Sequence, residues 1–285
     1  MTDAPAIDAV PDKGRPADVI EASAPAKVNL ALHVTGQRAD GYHELDSFVV
    51  FADVMDNLTL APSDAMRMKV KGAFADGVPS DVSNIAWKAA ELCGQNFDIT
   101  LTKNIPHGAG LGGGSSDAAA VLRSLDRADL AAQLGADVPV CLWAGPQRMR
   151  GIGEVLDRIW PVPQFALVLV NPKVHVATPD VFAELADKTN PPMTDLPEGM
   201  DADWIGWLAD QRNDLQPAAI RVAPVMADAL AALEDAQIAR MSGSGSTCFG
   251  IYPDLASAEA AAARIAEDHP DWWVTASQTV GADLS

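Results

Sequence analysis

The chain has 285 residues, of which 20 are basic and 39 acidic, so its formal charge at pH 7 is −19. Such an acidic balance argues against a nucleic-acid-binding protein and against a protein of anionic membranes, because phosphate would repel it unless its basic residues were clustered, and the sequence has no such cluster. Hydrophobic residues make up 48% of the chain, which is enough to bury a core.

The N-terminal segment, residues 1–21, is acidic and rich in proline, and it lacks the apolar stretch of a signal peptide. We therefore expect a disordered leader and a cytoplasmic protein. The longest run of bulky apolar residues, 165–170, is too short to span a membrane. Three cysteines lie far apart and form no CxxC motif, so we expect reduced thiols and neither a disulfide framework nor a zinc site: Cys93, Cys141 and Cys248.

The first half of the chain is dominated by predicted strands. Apolar alternation and β-branched residues predict strands at 27–34, 47–54, 58–60, 66–70 and 97–101. Residues 84–93 have the spacing of a helix. After a glycine run at 108–114, residues 115–125 predict a second helix, and residues 138–143 and 165–170 predict buried strands.

Helices and strands alternate from about residue 160 onward. A proline-rich loop, 187–203, is flanked by helices expected at 179–186 and 204–210. Further helices are expected at 224–236 and 255–268, and strands at 238–241, 247–252 and 273–277. This pattern predicts an α+β fold with two domains, residues 22–160 and 161–285.

The glycine run is the strongest feature for function. Five of the seven residues from Gly108 to Gly114 are glycine, and a helix starts directly after them. Unpaired N–H groups and the positive end of the helix dipole make such a junction suitable for phosphate. Ser115 follows where a Walker A loop requires lysine, so an ordinary P-loop is excluded.

A dinucleotide-binding fold stays open as an alternative at this point. Gly108, Gly110 and Gly113 satisfy the spacing GxGxxG, with Asp126 or Asp129 downstream as the acidic residue. However, Asp126 follows the helix without an intervening strand, which a Rossmann unit requires. A nucleotide-binding module without catalytic activity is a second alternative.

Phosphoryl transfer needs a proton acceptor and a cation that offsets the charge on the moving group. Asp117 and Asp137 are the candidate bases. Asp117 is expected in the first turn of a helix, where a carboxylate commonly caps, and Asp137 between a glycine turn and a buried strand. Lys27 is the candidate cation, because a lysine between Pro25 and an apolar strand is unfavourable unless it is paired.

Three segments resemble the motifs of the GHMP kinase superfamily of small-molecule kinases. They are APAKVNL at 24–30, PHGAGLGGGSSDAA at 106–119 and RMSGSGST at 240–247. Within that superfamily, TGQRADGYHEL at 35–45, LGADVP at 134–139, GIGE at 151–154 and TPDVF at 178–182 resemble the branch that acts on 4-diphosphocytidyl-2-C-methyl-D-erythritol.

The resemblance implies ATP-dependent phosphorylation of the 2-hydroxyl of that substrate, a step of the non-mevalonate route to isoprenoids. It also implies a ribosomal-protein-S5-like N-terminal domain and a ferredoxin-like C-terminal domain with the active site between them. Mg²⁺ would arrive as the ATP complex and no protein metal site is expected. The protein would act on a small molecule, as a monomer or weak homodimer.

The resemblance also implies roles for individual residues. Lys27 and Asp137 would be the catalytic pair. Asn29, Gly243 and Ser244 would contact the substrate, while Tyr42 and His43 would hold its cytosine and Phe182 would stack on it. The residues expected at ATP are Asn84, Lys103, Pro106, His107, Gly108, Ala109, Gly110, Leu111, Gly112, Gly113, Gly114, Ser115 and Ser116.

Overall fold

The structure, a computed structural model, describes residues 18–281. Its strands are β1 (Ile20–Gln37), β2 (His43–Pro62), β3 (Arg67–Lys71), β4 (Phe97–Thr102), β5 (Gln147–Gly151), β6 (Val155–Arg158), β7 (Ala166–Asn171), β8 (Ile238–Met241), β9 (Cys248–Tyr252) and β10 (Trp273–Gln278). Its α-helices are α1 (Ile85–Leu92), α2 (Gly113–Ser124), α3 (Asp137–Trp143), α4 (Thr178–Ala183), α5 (Trp204–Ala209), α6 (Gln216–Val222), α7 (Val225–Ala231) and α8 (Leu255–Asp268), and a 3₁₀ helix spans Ala128–Gln133.

The first sheet has six strands and is organised around the long strand β2. β2 pairs antiparallel with β1 along almost its whole length, with β4 at its C-terminal end and with β5 at its N-terminal end. β3 lies parallel to β4, and β6 forms the edge beyond β5. β5 therefore pairs with residues of β2 that lie about 100 positions earlier in the chain, such as Phe48 with Arg148.

The second sheet has four antiparallel strands in the order β10-β7-β9-β8. Along the chain, β7 leads into helices α4 to α7, then the β8–β9 hairpin, then α8 and β10. This βαββαβ arrangement is ferredoxin-like. Asp254 accepts a hydrogen bond from the Ser257 N–H at the start of α8, which fixes the beginning of that helix.

Three clusters of buried apolar residues give the molecule a layered core. One lies between the first sheet and helices α1 to α3 and includes Phe51 and Leu122. Another lies between the second sheet and helices that include α6, α7 and α8. The third cluster contains Leu30 and Phe48 of the first sheet together with Leu169 and other apolar residues of β7 and β9 in the second sheet. The two sheets therefore pack against each other through apolar side chains.

The α+β class predicted from the sequence is confirmed. Residues 20–158 build the first sheet and 166–278 the second, so the predicted domain boundary falls in the connection between β6 and β7; the division into domains stays a prediction. Most of the predicted leader, residues 1–17, lies outside the described residues, and β1 begins at Ile20. No helix of the described chain is long and apolar enough to cross a membrane.

The predicted strand at residues 138–143 is wrong, because this segment forms helix α3. A short apolar run has no periodicity that distinguishes a buried strand from a buried helix. Pro139 is the third residue of the helix, a position in the first turn where its missing N–H costs nothing. Four elements were not predicted: the 3₁₀ helix, α6 and the polar strands β5 and β6. In β5, arginines alternate with buried residues.

Candidate active site

A cleft of about 630 Å³ opens where the glycine loop, β1, the start of α4 and the turn after β8 meet. Many of the residues predicted for the site line this cleft: Lys27, Asn29, Gly108, Ala109, Gly110, Gly112, Gly113, Gly114, Ser115, Asp137, Phe182, Gly243 and Ser244. The three motifs that carried the family resemblance therefore come together, although more than 200 residues separate the first from the last.

The glycine loop ends in the first turn of α2. Gly112 has a φ of 63° in the left-handed region and precedes the first helical residue, Gly113, with no side-chain cap. The N–H groups of the first turn have no partner inside the helix and point along its axis. Because these groups are at the cleft, this end of α2 can bind phosphate through backbone groups and the helix dipole.

Contacts with two other segments hold the loop in place. The Lys27 N–H donates to the Leu111 carbonyl at 2.8 Å, and the Ser242 hydroxyl donates to the Gly110 carbonyl at 3.0 Å. Gly110 has a φ of 74°, and a Cβ there would lie 2.5 Å from the Ser242 carbonyl oxygen. The glycine at this position is therefore required by a close approach of two backbones.

Lys27 and Asp137 form the ion pair that the resemblance implied. The Lys27 ammonium donates to Asp137 Oδ1 at 3.0 Å, with the lysine buried in β1 and the carboxylate half exposed at the start of α3. Burial is the largest single effect and lowers the pKa of Lys27, but the charge of Asp137, the Cys141 thiol and the hydrogen bond to Asp137 together outweigh it, so the pKa of Lys27 is raised. The ammonium in turn lowers the pKa of Asp137. Both groups are therefore ionised at neutral pH.

Asn29 follows Lys27 on the same face of β1. Its side-chain N–H donates to the Ser47 hydroxyl at 2.8 Å, and its backbone N–H donates to the Ser242 hydroxyl at 3.1 Å. Its Oδ1 is buried and has no hydrogen-bond partner within residues 18–281. Since Asn29 lines the cleft, this oxygen can accept a hydrogen bond from a ligand.

The aromatic residues predicted for cytosine binding are only partly together. His43 and Phe182 stack with ring centroids 4.6 Å apart, and Phe182 lines the cleft. His43 Nε2 is buried without a partner in the described chain, and burial, with a smaller effect of Lys188, lowers the pKa of His43. Tyr42 is 62% exposed and lies outside the cleft lining.

Several residues predicted at ATP do not line the cleft. Asn84 caps α1 by accepting from the Ala86 N–H at 2.9 Å. Lys103 is buried in ion pairs with Asp56 and Asp117. Of the glycine-loop segment, the residues that are not part of the lining are Pro106, His107, Leu111 and Ser116.

Sequence reasoning missed part of the site. His175 and Thr178 also line the cleft. A Cβ at Gly108 would lie 3.3 Å from His175 Nδ1, and Thr178 Oγ1 lies 2.8 Å from Ser244 Oγ. Asp117, expected in a helix's first turn, lies beyond it because α2 starts at Gly113, and its side chain points to Lys103. The run of apolar residues that directly follows Asp117, residues 118–122, was the signal that this part of the helix is buried.

The described residues contain no group of three or more His, Cys, Asp or Glu side chains that could hold a metal ion. The three cysteines are free, as expected.

Two family models match the chain. The GHMP kinases N terminal domain matches residues 82–145 and the GHMP kinases C terminal domain matches residues 194–271. A protein of Paracoccus denitrificans named 4-diphosphocytidyl-2-C-methyl-D-erythritol kinase is 52% identical over 260 residues, which cover 90% of this chain and 95% of the relative. A protein of the same name from Ruegeria pomeroyi is 50% identical, with 89% and 97% covered.

Solved structures show the same similarity. A crystal structure of 4-(cytidine 5'-diphospho)-2C-methyl-D-erythritol kinase superposes with a TM-score of 0.74 at 31% identity and covers 92% of this chain and 100% of its own. Homoserine kinase from Cytophaga hutchinsonii superposes with a TM-score of 0.66 at 20% identity, with 94% and 96% covered, and shares the fold.

Proposed function

Because the chain belongs to the 4-diphosphocytidyl-2-C-methyl-D-erythritol kinase family of the GHMP kinases, we propose that it transfers the γ-phosphoryl group of ATP to the 2-hydroxyl of that compound. The reaction is a step of the non-mevalonate route to isoprenoid precursors. The observation that carries the proposal is the Lys27–Asp137 pair, 3.0 Å apart, in a cleft that also contains the first turn of α2.

Asp137 is the proton acceptor in this mechanism. Its carboxylate is ionised because Lys27 lowers its pKa, and half of the side chain is exposed to the cleft. As the substrate oxygen bonds to the γ-phosphorus, the bond from that phosphorus to the β–γ bridging oxygen breaks and ADP leaves. The substrate hydroxyl becomes acidic during this exchange, and its proton passes to Asp137. Lys27 keeps the carboxylate in place and offsets negative charge on the phosphoryl group as it moves.

The glycine loop binds the phosphates of ATP. The N–H groups at the start of α2 supply hydrogen bonds and partial positive charge, and Lys27 adds a full charge beside Gly112. We propose that Mg²⁺ enters on the phosphates of ATP, since the described residues offer no metal cluster of their own. Its chemistry there is to neutralise phosphate charge.

The cytidyl group would lie against Phe182, which lines the cleft and stacks on His43, a residue outside the cleft lining. Phe182 offers an apolar ring face, and His43 brings a buried nitrogen without a partner beside it. A neutral imidazole can donate or accept at a pyrimidine edge. Asn29 Oδ1, which lies beside Gly243 in the cleft, can accept a hydrogen bond from a substrate hydroxyl.

A substrate panel tests the proposed function. Release of ADP from ATP and Mg²⁺ is measured in a coupled assay with 4-diphosphocytidyl-2-C-methyl-D-erythritol, mevalonate, homoserine or galactose as the acceptor. We expect turnover with the cytidyl compound alone. Equal turnover with another acceptor, or none with the cytidyl compound, would refute the proposal.

A further inference from the structure

Three ionisable side chains form a buried cluster beneath the first turn of α2. Lys103 Nζ donates to Asp117 Oδ2 at 2.9 Å and also bonds to Asp56 Oδ2. All three residues are at most 2% exposed. A Cβ added at Gly113 would lie 3.3 Å from Lys103 Nζ and 3.5 Å from Asp56 Oδ2. The cluster therefore lies directly under the first residue of the phosphate-binding turn.

The hydrogen bonds indicate which of the two carboxyl groups is better suited to hold a proton. Asp56 Oδ1 accepts from the N–H groups of Asn104 and Ile105 at 2.6 and 2.9 Å, and its Oδ2 accepts from Lys103, so both of its oxygens are satisfied as a carboxylate. Asp117 accepts from Lys103, its carboxyl group lies within hydrogen-bonding reach of that of Asp56, and its Oδ1 is buried without a partner in the described chain. An ionised oxygen in that position is costly, so the proton belongs on Asp117.

The charge balance leads to the same assignment. With both carboxyl groups ionised, the cluster would carry one net negative charge under a site for phosphate; with Asp117 neutral, it carries none. Burial is the main cause that raises the pKa of Asp117 to about 8, and the Asp56 charge adds to it against the opposing effect of Lys103.

The ionisable side chains of the elements packed around α2 lie in their own ion pairs, at the surface or, for one thiol, in the core. Burial raises the pKa of the Cys141 thiol on α3 to about 12, and Lys27 on β1 is paired with Asp137. The charged side chains of α1 and of the 3₁₀ helix region lie at the surface or in their own ion pair: Lys88, Glu91, and Arg127 with Asp129. On α2 itself, Arg123 donates to the Cys141 and Ser23 carbonyls.

We infer that Asp117 is a positioning residue for the nucleotide, one that must hold a proton beneath the glycine loop for ATP to bind well. The inference rests on the proposed role of that loop. Phosphate above the turn disfavours a carboxylate below it, so nucleotide binding raises the pKa of Asp117 further. Binding of the nucleotide therefore transfers a proton from solvent to Asp117. The affinity for ATP falls as the pH rises through the pKa that Asp117 has in the unliganded protein.

Calorimetry of ATP–Mg²⁺ binding without the second substrate tests this. Titrations between pH 7 and 9.5, in buffers of different ionisation enthalpy, give the number of protons taken up. If binding raises the pKa by about one unit from about 8, we expect an uptake of about 0.4 to 0.5 proton between pH 8 and 8.5, and an affinity about tenfold weaker at the alkaline limit. Asp117→Asn keeps the shape and neutrality of the protonated group, so it should bind ATP normally at pH 7 without that uptake.

Asp98→Asn is the matched control, since this exposed carboxylate pairs with Arg67 on the far edge of the sheet and should leave the uptake unchanged. Equal uptake in the wild type and in Asp117→Asn overturns the inference while the proposed function stands. Zero uptake by the wild type at pH 8 overturns it even if the variant fails to fold. Absence of any ATP binding by the wild type overturns both.

Discussion

Gly110→Ala tests whether the glycine loop and the turn after β8 form one rigid site. Gly110 has a φ of 74°, which costs an alanine about 1–2 kcal/mol. The added Cβ would also lie 2.5 Å from the Ser242 carbonyl oxygen and 2.7 Å from that of Gly245. The two backbones must separate by about 0.5 Å to reach the shortest contact that such atoms tolerate, and overpacking of this kind costs about 1–3 kcal/mol more.

Gly94→Ala is the matched control for the conformational cost. Gly94 follows α1 with a φ of 73°, and a Cβ there would meet nothing within 4 Å. We expect a loss in the free energy of unfolding of about 1–2 kcal/mol for Gly94→Ala and about 2–5 kcal/mol for Gly110→Ala, measured by urea unfolding. The dissociation constant for ATP should rise at least about tenfold in Gly110→Ala alone, because a displaced loop misplaces its N–H groups. Equal losses in both variants, with ATP binding intact, would refute the close approach.

Two further variants test the catalytic pair and the cytidyl site. Asp137→Asn should lower kcat by about 10²- to 10⁴-fold, the usual contribution of a general base, while calorimetry shows that ATP still binds. Its control, Asp157→Asn, breaks a similarly exposed ion pair away from the cleft and should keep full turnover. If turnover survives in Asp137→Asn, another group takes the proton. Phe182→Leu should raise the KM for the cytidyl substrate by about 5- to 150-fold through loss of about 1–3 kcal/mol of stacking, with the KM for ATP unchanged. Phe74→Leu, which loses a ring contact with Trp273 outside the cleft, is its control, and an unchanged KM in Phe182→Leu would remove Phe182 from the base site.

The parts of the site that the sequence predicted are those with a local signal. Glycines that run into an apolar helix indicate a phosphate loop without any tertiary information, and the loop lies in the cleft as expected. The Lys27–Asp137 pair could not be predicted from the local sequence. Each residue was a candidate alone, but their pairing across 110 positions came from the family resemblance, because a contact of that separation leaves no periodic pattern.

The surroundings of Lys103 could not be predicted from the local sequence. The family resemblance implied a position near the nucleotide, and in the structure the ammonium of Lys103 pairs with Asp56 and Asp117. Asp56 comes from β2, 47 positions earlier in the chain, and pairs with Lys103 because β2 and β4 are neighbours in the sheet. Only the strand order reveals that partner. The strand predicted at residues 138–143 was wrong for a different reason, because a short apolar run fits both a buried strand and a buried helix such as α3.

The position of the new phosphate on the product tests the central claim most directly. C2 of the methylerythritol carries a methyl group and no hydrogen, so a phosphate at its hydroxyl has no proton three bonds away. In a proton-coupled phosphorus NMR spectrum of the wild-type reaction, we expect one new phosphomonoester resonance without resolved splitting, equal in amount to the ADP released. A split resonance, from a phosphate on a carbon that bears hydrogen, or ADP without a new phosphomonoester, would contradict the account.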